Sequence, residues 1–213
     1  MTKIELKNVS KTIKGKSVLR NISMTLEKGR VIGFSGVNGS GKTMLMRLIA
    51  GLIFPTNGEI IIDGKRLGKE IEFPESIGLL IENPSFLDYY SGFQNLKILS
   101  SIRKEVSEEE IRDIIRCVGL DPEDKKIYKK YSLGMKQRLG IAGALLEKPE
   151  ILILDEPTNA LDEDGVGMLK ALVAGEKERG ALVIVSCHDK EVLQSMTDEI
   201  YELREGSLIG KDK

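Results

Sequence analysis

The sequence predicts an α/β fold, with one parallel-sheet core and a helical segment inserted into it. Three observations predict it. The run Val31-Ile32-Gly33-Phe34-Ser35 is a short apolar strand that leads through a glycine-rich turn into a helical pattern over 44–52, with Leu45, Leu48 and Ile49 on one face. The runs 151–154 and 181–186 are apolar almost throughout, as strands are when a parallel sheet is covered on both faces. Between the glycine-rich turn and the first of these strands, from about 83 to 148, the pattern changes to helix.

The other elements follow in chain order. Ile4, Leu6 and the stretch 18–26 read as strands, with alternating or β-branched residues. Residues 58–64 form a strand that ends in an Asp63-Gly64 turn, and 77–81 form another. Ser107 is the expected N-cap of a helix in which Glu110 completes a capping box, and Gly119 closes it. Residues 133–146 and 164–180 are helical, and 200–203 pairs with 207–209 around Glu205-Gly206. No repeat, low-complexity tract or linker divides the chain, so 1–213 reads as one domain, with a helical subdomain at about 83–148.

Composition excludes several classes. A chain of 213 residues with 41% hydrophobic and 31% charged residues is an ordinary globular protein that needs no disulfide or metal staple. The formal charge of -1 gives no reason to expect nucleic acid as a partner. Cys117 and Cys187 are far apart, form no CxxC pair and suggest two reduced thiols. The first ten residues read as neither a signal nor a transit peptide. No apolar run approaches the ~20 residues that span a bilayer, so a membrane partner would be another chain.

The chemistry centres on Gly36-Val37-Asn38-Gly39-Ser40-Gly41-Lys42-Thr43, which fits G-x-x-x-x-G-K-[ST]. Its glycines let backbone N–H groups turn inward around phosphates, and the following helix offers its positive end to the same anion. Lys42 is expected on the β- and γ-phosphates and Thr43 on Mg²⁺. The strand 151–154 runs directly into Asp155-Glu156-Pro157-Thr158. Ligand chemistry in parallel sheets gathers at the carboxyl ends of strands. Asp155 can therefore meet the Mg²⁺, and Glu156 can orient or deprotonate a water. The single histidine, His188, follows another core strand at the same edge and is a candidate for a γ-phosphate contact.

Tyr131-Ser132-Leu133-Gly134-Met135-Lys136-Gln137-Arg138 resembles the ABC signature, L-S-G-G-Q followed by K-Q-R. Asn159-Ala160-Leu161-Asp162 is similar to that family's D-loop, and Ser186-Cys187-His188-Asp189 to its switch-histidine segment. With the phosphate loop, these motifs stand in family order over roughly residues 2–210. The resemblance implies a P-loop NTPase core of ABC type, with an N-terminal antiparallel β subdomain and an inserted α-helical subdomain. It implies a head-to-tail, ATP-dependent dimer in which Ser132 and the N–H of Gly134 bind the γ-phosphate of the partner's ATP. Ser132 on its own reads as an ordinary helix cap.

The resemblance also implies a peripheral bacterial ATPase on the cytoplasmic face of the cell membrane, with ATP and Mg²⁺ as cofactors and an integral membrane subunit on a separate chain as partner. Four positions depart from the family pattern. Leu133 replaces a glycine and Met135 a glutamine of the signature; Glu82 stands in the glutamine loop, where a carboxylate still suits Mg²⁺ or water. Ile13 stands where an aromatic residue often stacks on adenine. Glu82 together with the variant signature is similar to bacterial exporters of lantibiotics and other antimicrobial peptides. Phe86, Tyr89, Tyr90 and Phe93 suit the coupling-helix interface or a small local core, and Lys125, Lys126, Lys129 and Lys130 read as a solvated basic face. The competing reading is a soluble, non-transport ABC ATPase. Against it stand the lack of a coiled-coil insertion and the presence of one nucleotide domain rather than two.

Overall fold

In a computed structural model of the chain, the described residues are 3–102 and 106–212. In chain order the elements are β1 (Lys3–Ile13), β2 (Lys16–Glu27), β3 (Val31–Ser35), α1 (Lys42–Ile49), β4 (Asn57–Ile62), β5 (Lys65–Arg66) and β6 (Ile77–Leu80). Then come α2 (Gly92–Ser100), α3 (Glu108–Cys117), a 3₁₀ turn at Tyr128–Lys130, α4 (Leu133–Leu145), β7 (Ile151–Leu154) and α5 (Glu163–Glu178). The chain finishes with β8 (Leu182–Ser186), α6 (Lys190–Gln194), β9 (Glu199–Arg204) and β10 (Ser207–Asp212).

The strands form two sheets. One is antiparallel, in the order β2-β1-β4-β5. The other has the order β10-β9-β3-β8-β7-β6 and is parallel from β9 to β6, with β10 antiparallel at its edge. The α/β expectation, including the N-terminal antiparallel unit, is met.

The apolar strands are explained by what covers them. Along β7, Ile151 and Ile153 join the core shared with the antiparallel sheet and α1, whereas Leu152 and Leu154 join the core under the helices. β8 alternates in the same way, with Leu182 and Ile184 on one side and Val183 and Val185 on the other. Each of these side chains is at most 2% exposed, and such burial contributes about 2 kcal/mol apiece. A period of two is present, but both faces are apolar, so the sequence shows only a run.

The helical insertion meets the sheet through small residues. A Cβ on Gly78 of β6 would stand 1.9 Å from the Ala144 carbonyl oxygen of α4, and a Cβ on Gly140 2.7 Å from Pro84. Only glycine permits this approach, which seats α4 on β6 and β7. The insertion is less helical than its pattern suggests: an irregular stretch at 81–91 leads from β6 into α2, and another at 118–132, broken by the 3₁₀ turn, leads from α3 into α4. The capping boxes are present, at Ser107 with Glu110 and also at Ser91 with Gln94. Asp63-Gly64 and Glu205-Gly206 make two-residue turns with positive φ at both positions, the geometry that suits strand twist. No helix among the described residues is long and apolar enough to cross a membrane.

Candidate functional site

Parallel pairing brings the carboxyl ends of β3, β8, β7 and β6 to one edge, in that spatial order. Each end carries a candidate residue. β3 leads into the phosphate loop, β8 into His188, β7 into Asp155 and Glu156, and β6 into Glu82.

The loop from Gly36 to Gly41 needs its glycines. Gly36, Gly39 and Gly41 have φ of 141°, 79° and 111°. A Cβ at Gly36 would lie 2.3 Å from the Leu203 carbonyl oxygen. Asn38 is exposed, whereas Ser40 is 2% exposed and its hydroxyl has no hydrogen-bond partner. Gly41 at the N-cap of α1 provides no side-chain cap, whereas among the described residues Ser91, Ser107, Ser132, Asp162 and Asp189 cap the other five helices. Uncapped N–H groups and an unpartnered buried hydroxyl are what an anion-binding loop leaves open.

The charged groups interlock behind this loop. The Lys42 ammonium is 6% exposed, donates to the Gly36 carbonyl at 2.7 Å and lies 3.7 Å from Glu156 Oε1. The Thr43 hydroxyl donates to Asp155 Oδ2 at 2.6 Å. Asp155, 3% exposed, also accepts from the Ser186 hydroxyl at 2.6 Å. The Glu156 N–H donates to that same hydroxyl at 2.9 Å. The Glu156 carboxylate accepts from the His188 N–H at 3.1 Å, and its other oxygen lies 3.3 Å from His188 Nε2. That second oxygen is buried with no hydrogen bond in good geometry. Lys42, Thr43, Asp155, Glu156 and His188, singled out from the sequence, thus come together.

Ser186 is the member that sequence reasoning passed over. It is fully buried and joins both acidic residues. Its signal was a polar residue ending an apolar strand, but only the strand order, with β8 between β3 and β7, shows what it touches.

The remaining candidates lie elsewhere. Glu82 has φ 60°, is mostly exposed and pairs with Arg47 of α1 at 2.7 Å, not with Thr43 or Asp155. Ile13 is 39% exposed at the tip of the β1–β2 hairpin. The hairpin's second strand approaches the phosphate loop, since a Cβ on Gly41 would meet Leu19 at 2.8 Å. Ser132 caps α4 by accepting from the Met135 N–H at 3.2 Å, and Gly134 follows it in the first turn. Of the four aromatics, Phe86 and Phe93 pack against the helical core, whereas Tyr89 and Tyr90 are exposed. The four lysines at 125–130 are exposed, with Lys129 over the Tyr89 ring.

A family model described as ABC transporter matches residues 19–159. The chain belongs to the ABC transporter family. YybJ of Bacillus subtilis (strain 168), an uncharacterized ABC transporter ATP-binding protein, is 51% identical over 210 residues, spanning 99% of this chain and 96% of that protein. The lantibiotic transport ATP-binding protein SrtF of Streptococcus pyogenes is 35% identical, spanning 97% of this chain and 89% of that protein. A dimeric structure of MJ0796, a bacterial ABC transporter cassette, superimposes with a TM-score of 0.85 at 26% identity, covering 99% of this chain and 98% of that one. The ABC-type core expected from the four motifs is therefore borne out, and the clustered side chains belong to an ABC ATPase domain.

Proposed function

We propose that this chain binds Mg-ATP and hydrolyses it as a head-to-tail dimer, powering a separate membrane subunit from the cytoplasmic face. The observation that supports this most is the cluster of Lys42, Thr43, Asp155, Glu156 and His188 at one sheet edge, beside a helix N-terminus without a side-chain cap.

The residues present fit the nucleotide and its cation. Ser40 Oγ is buried and unpartnered, Lys42 is buried beside the loop, and Thr43 with Asp155 forms a set of hard oxygen donors that suits Mg²⁺. When bound, Mg-ATP supplies the transferable phosphoryl group and a cation that offsets its charge. Lys42 and the N–H groups of 36–43 hold the phosphates. Thr43 and Asp155 hold the cation. Glu156 takes the proton of the attacking water, and His188 holds the Glu156 carboxylate and contacts the γ-phosphate. Ser132 and Gly134 serve the partner's nucleotide, and Ile13 gives the base an apolar contact. Glu82 reaches the cation only after parting from Arg47. Residues 1–213 act as one nucleotide-binding domain, with 83–148 as its helical subdomain.

The likeness to SrtF supports a lantibiotic or other antimicrobial peptide as the exported cargo. The formal charge of -1 gives no reason to expect nucleic acid as a partner.

Size-exclusion chromatography of Glu156→Gln with and without Mg-ATP, beside phosphate release by the unmutated chain, tests the reading. A dimer that forms only with Mg-ATP, together with phosphate release, is expected. A tight dimer without nucleotide, or no turnover with or without the membrane subunit, would overturn it.

A further inference from the structure

Two turns of α4 are tied to a single stretch of chain, residues 156–162. A Cβ on Gly134 would stand 2.8 Å from the Ala160 carbonyl oxygen. One turn on, Gln137 is 6% exposed, and its Nε2 donates to the carbonyl oxygens of Glu156 at 3.3 Å and Pro157 at 3.1 Å. Arg138 then donates to Asp162 at 3.0 Å and to the Val118 carbonyl at 2.9 Å.

Glu156 needs such support. Its φ of 50° is left-handed, a conformation that costs a non-glycine residue about 1 kcal/mol or more and persists only where its surroundings hold it. Its N–H is held by Ser186 and its carboxylate by the His188 N–H. Its carbonyl accepts from Gln137 and from the Asn159 N–H at 3.2 Å. Of these partners, only Gln137 belongs to the helical insertion. A long amide is required, because one donor group must reach two successive carbonyls across the gap between α4 and the loop.

We infer that Gln137 is a positioning residue for Glu156, and that through it the N-terminus of α4 and the Glu156 carboxylate move as one unit. The inference rests on the proposed ATP sandwich. In that arrangement the N-terminus of α4 faces the nucleotide held by the partner, whereas Glu156 faces the chain's own. Docking of Ser132 and Gly134 on one nucleotide is therefore transmitted, over the single turn from 134 to 137, to the carboxylate that acts on the other. The two sites of the dimer are coupled by a link internal to each protomer. A Gln137 that served only to satisfy buried carbonyls would stabilise the fold without this effect.

The test is Gln137→Met in the full chain, which keeps length and burial and removes both donors. Steady-state phosphate release gives kcat, KM and the Hill coefficient. Equilibrium titration with a fluorescent ATP analogue gives affinity. Because a displacement of about 1 Å at a reacting group costs up to about 10²-fold, kcat is expected to fall at least about tenfold, with affinity unchanged within about twofold and the Hill coefficient moving towards 1. In Glu156→Gln, where the positioned carboxylate is already gone, adding Gln137→Met is expected to lower residual turnover by less than about twofold.

Unchanged kcat, loss of affinity in step with kcat, or a full further loss in the Glu156→Gln background would overturn the inference. Gln137→Asn, one methylene shorter, gives the same reading where the Met variant does not fold. An unmutated chain that binds the analogue yet releases no phosphate overturns the hydrolytic reading itself, and the coupling with it. Turnover by the unmutated chain with no effect at 137 overturns the coupling alone.

Discussion

Ser186→Ala removes one oxygen on which two acidic residues depend. The hydroxyl is fully buried at the end of β8, donates to Asp155 Oδ1 at 2.6 Å and accepts from the Glu156 N–H at 2.9 Å. Alanine deprives the Asp155 carboxylate of a hydrogen bond of the charge-assisted kind, which contributes about 1.5–3 kcal/mol. It also leaves the Glu156 N–H without this partner, at about 1–3 kcal/mol. The two losses share one atom and are not independent, so together they amount to about 3 kcal/mol. Urea denaturation is the assay: the midpoint drops and the slope stays, because the surface exposed on unfolding is unchanged. Turnover is expected to fall further than stability alone requires. Asp155 and Glu156 each lose one of the bonds that position them, and a misplacement of about 1 Å is enough for about 10²-fold in kcat/KM. A variant within about 0.5 kcal/mol of the unmutated chain, turning over ATP at the same rate, would refute the reasoning, since surface substitutions do no more than that.

Gly78→Ala forces a Cβ to within 1.9 Å of the Ala144 carbonyl oxygen, and such overpacking is expected to cost about 3 kcal/mol or more in urea denaturation as α4 is pushed off β6. Gly167→Ala gives the opposite sign: its Cβ meets nothing within 4 Å in the exposed face of α5, so a gain of about 1 kcal/mol is expected in the same assay. The Glu110 carboxyl is lowered from 4.5 to about 2, first by the Ser107 N–H it accepts from, then by Lys148 and the Ser107 hydroxyl. A depressed carboxylate stabilises the fold fully above its ordinary pKa, and that contribution is lost as pH falls from 4.5 towards about 2. Side-chain carboxyl NMR is expected to show the low midpoint, and Lys148→Ala to raise it.

How much of this was legible depends on how local each signal is. The phosphate loop, the Ser107–Glu110 capping box and the Asp63-Gly64 and Glu205-Gly206 turns are encoded within a few residues, and each appears where the sequence places it. The apolar runs of β7 and β8 announce burial on both faces and so a parallel sheet. β1 reads less clearly, because register shifts beyond Leu6 and the positive φ of Asn8 break its alternation, and only Ile4 and Leu6 stand out in a strand that runs from Lys3 to Ile13. Ser186 needs the strand order, which no local pattern carries. Gln137 needs the rotation of α4 about its axis, which is set by contacts with Leu80, Pro84 and Phe86 far along the chain. The motif position of Glu82 suits a cation or water, but its ion pair with Arg47 spans 35 residues and is invisible in sequence.

The two departures in the signature are understood from what each side chain does. Leu133 is 74% exposed, and Met135 packs against the buried cluster under α4. Neither side chain is among the groups proposed for the partner's phosphate, which are the Ser132 hydroxyl and the backbone N–H of Gly134. A helix N-terminus attracts anions through N–H groups that every residue except proline carries, so a leucine and a methionine there leave that attraction intact. What the corner does demand is a residue without a Cβ at 134, because the Ala160 carbonyl lies 2.8 Å from where that atom would be. The glycine kept in the signature is the one the packing requires, and the glycine lost is the one that faces solvent. Packing against 156–162 constrains this corner more tightly than the family spelling of the motif does.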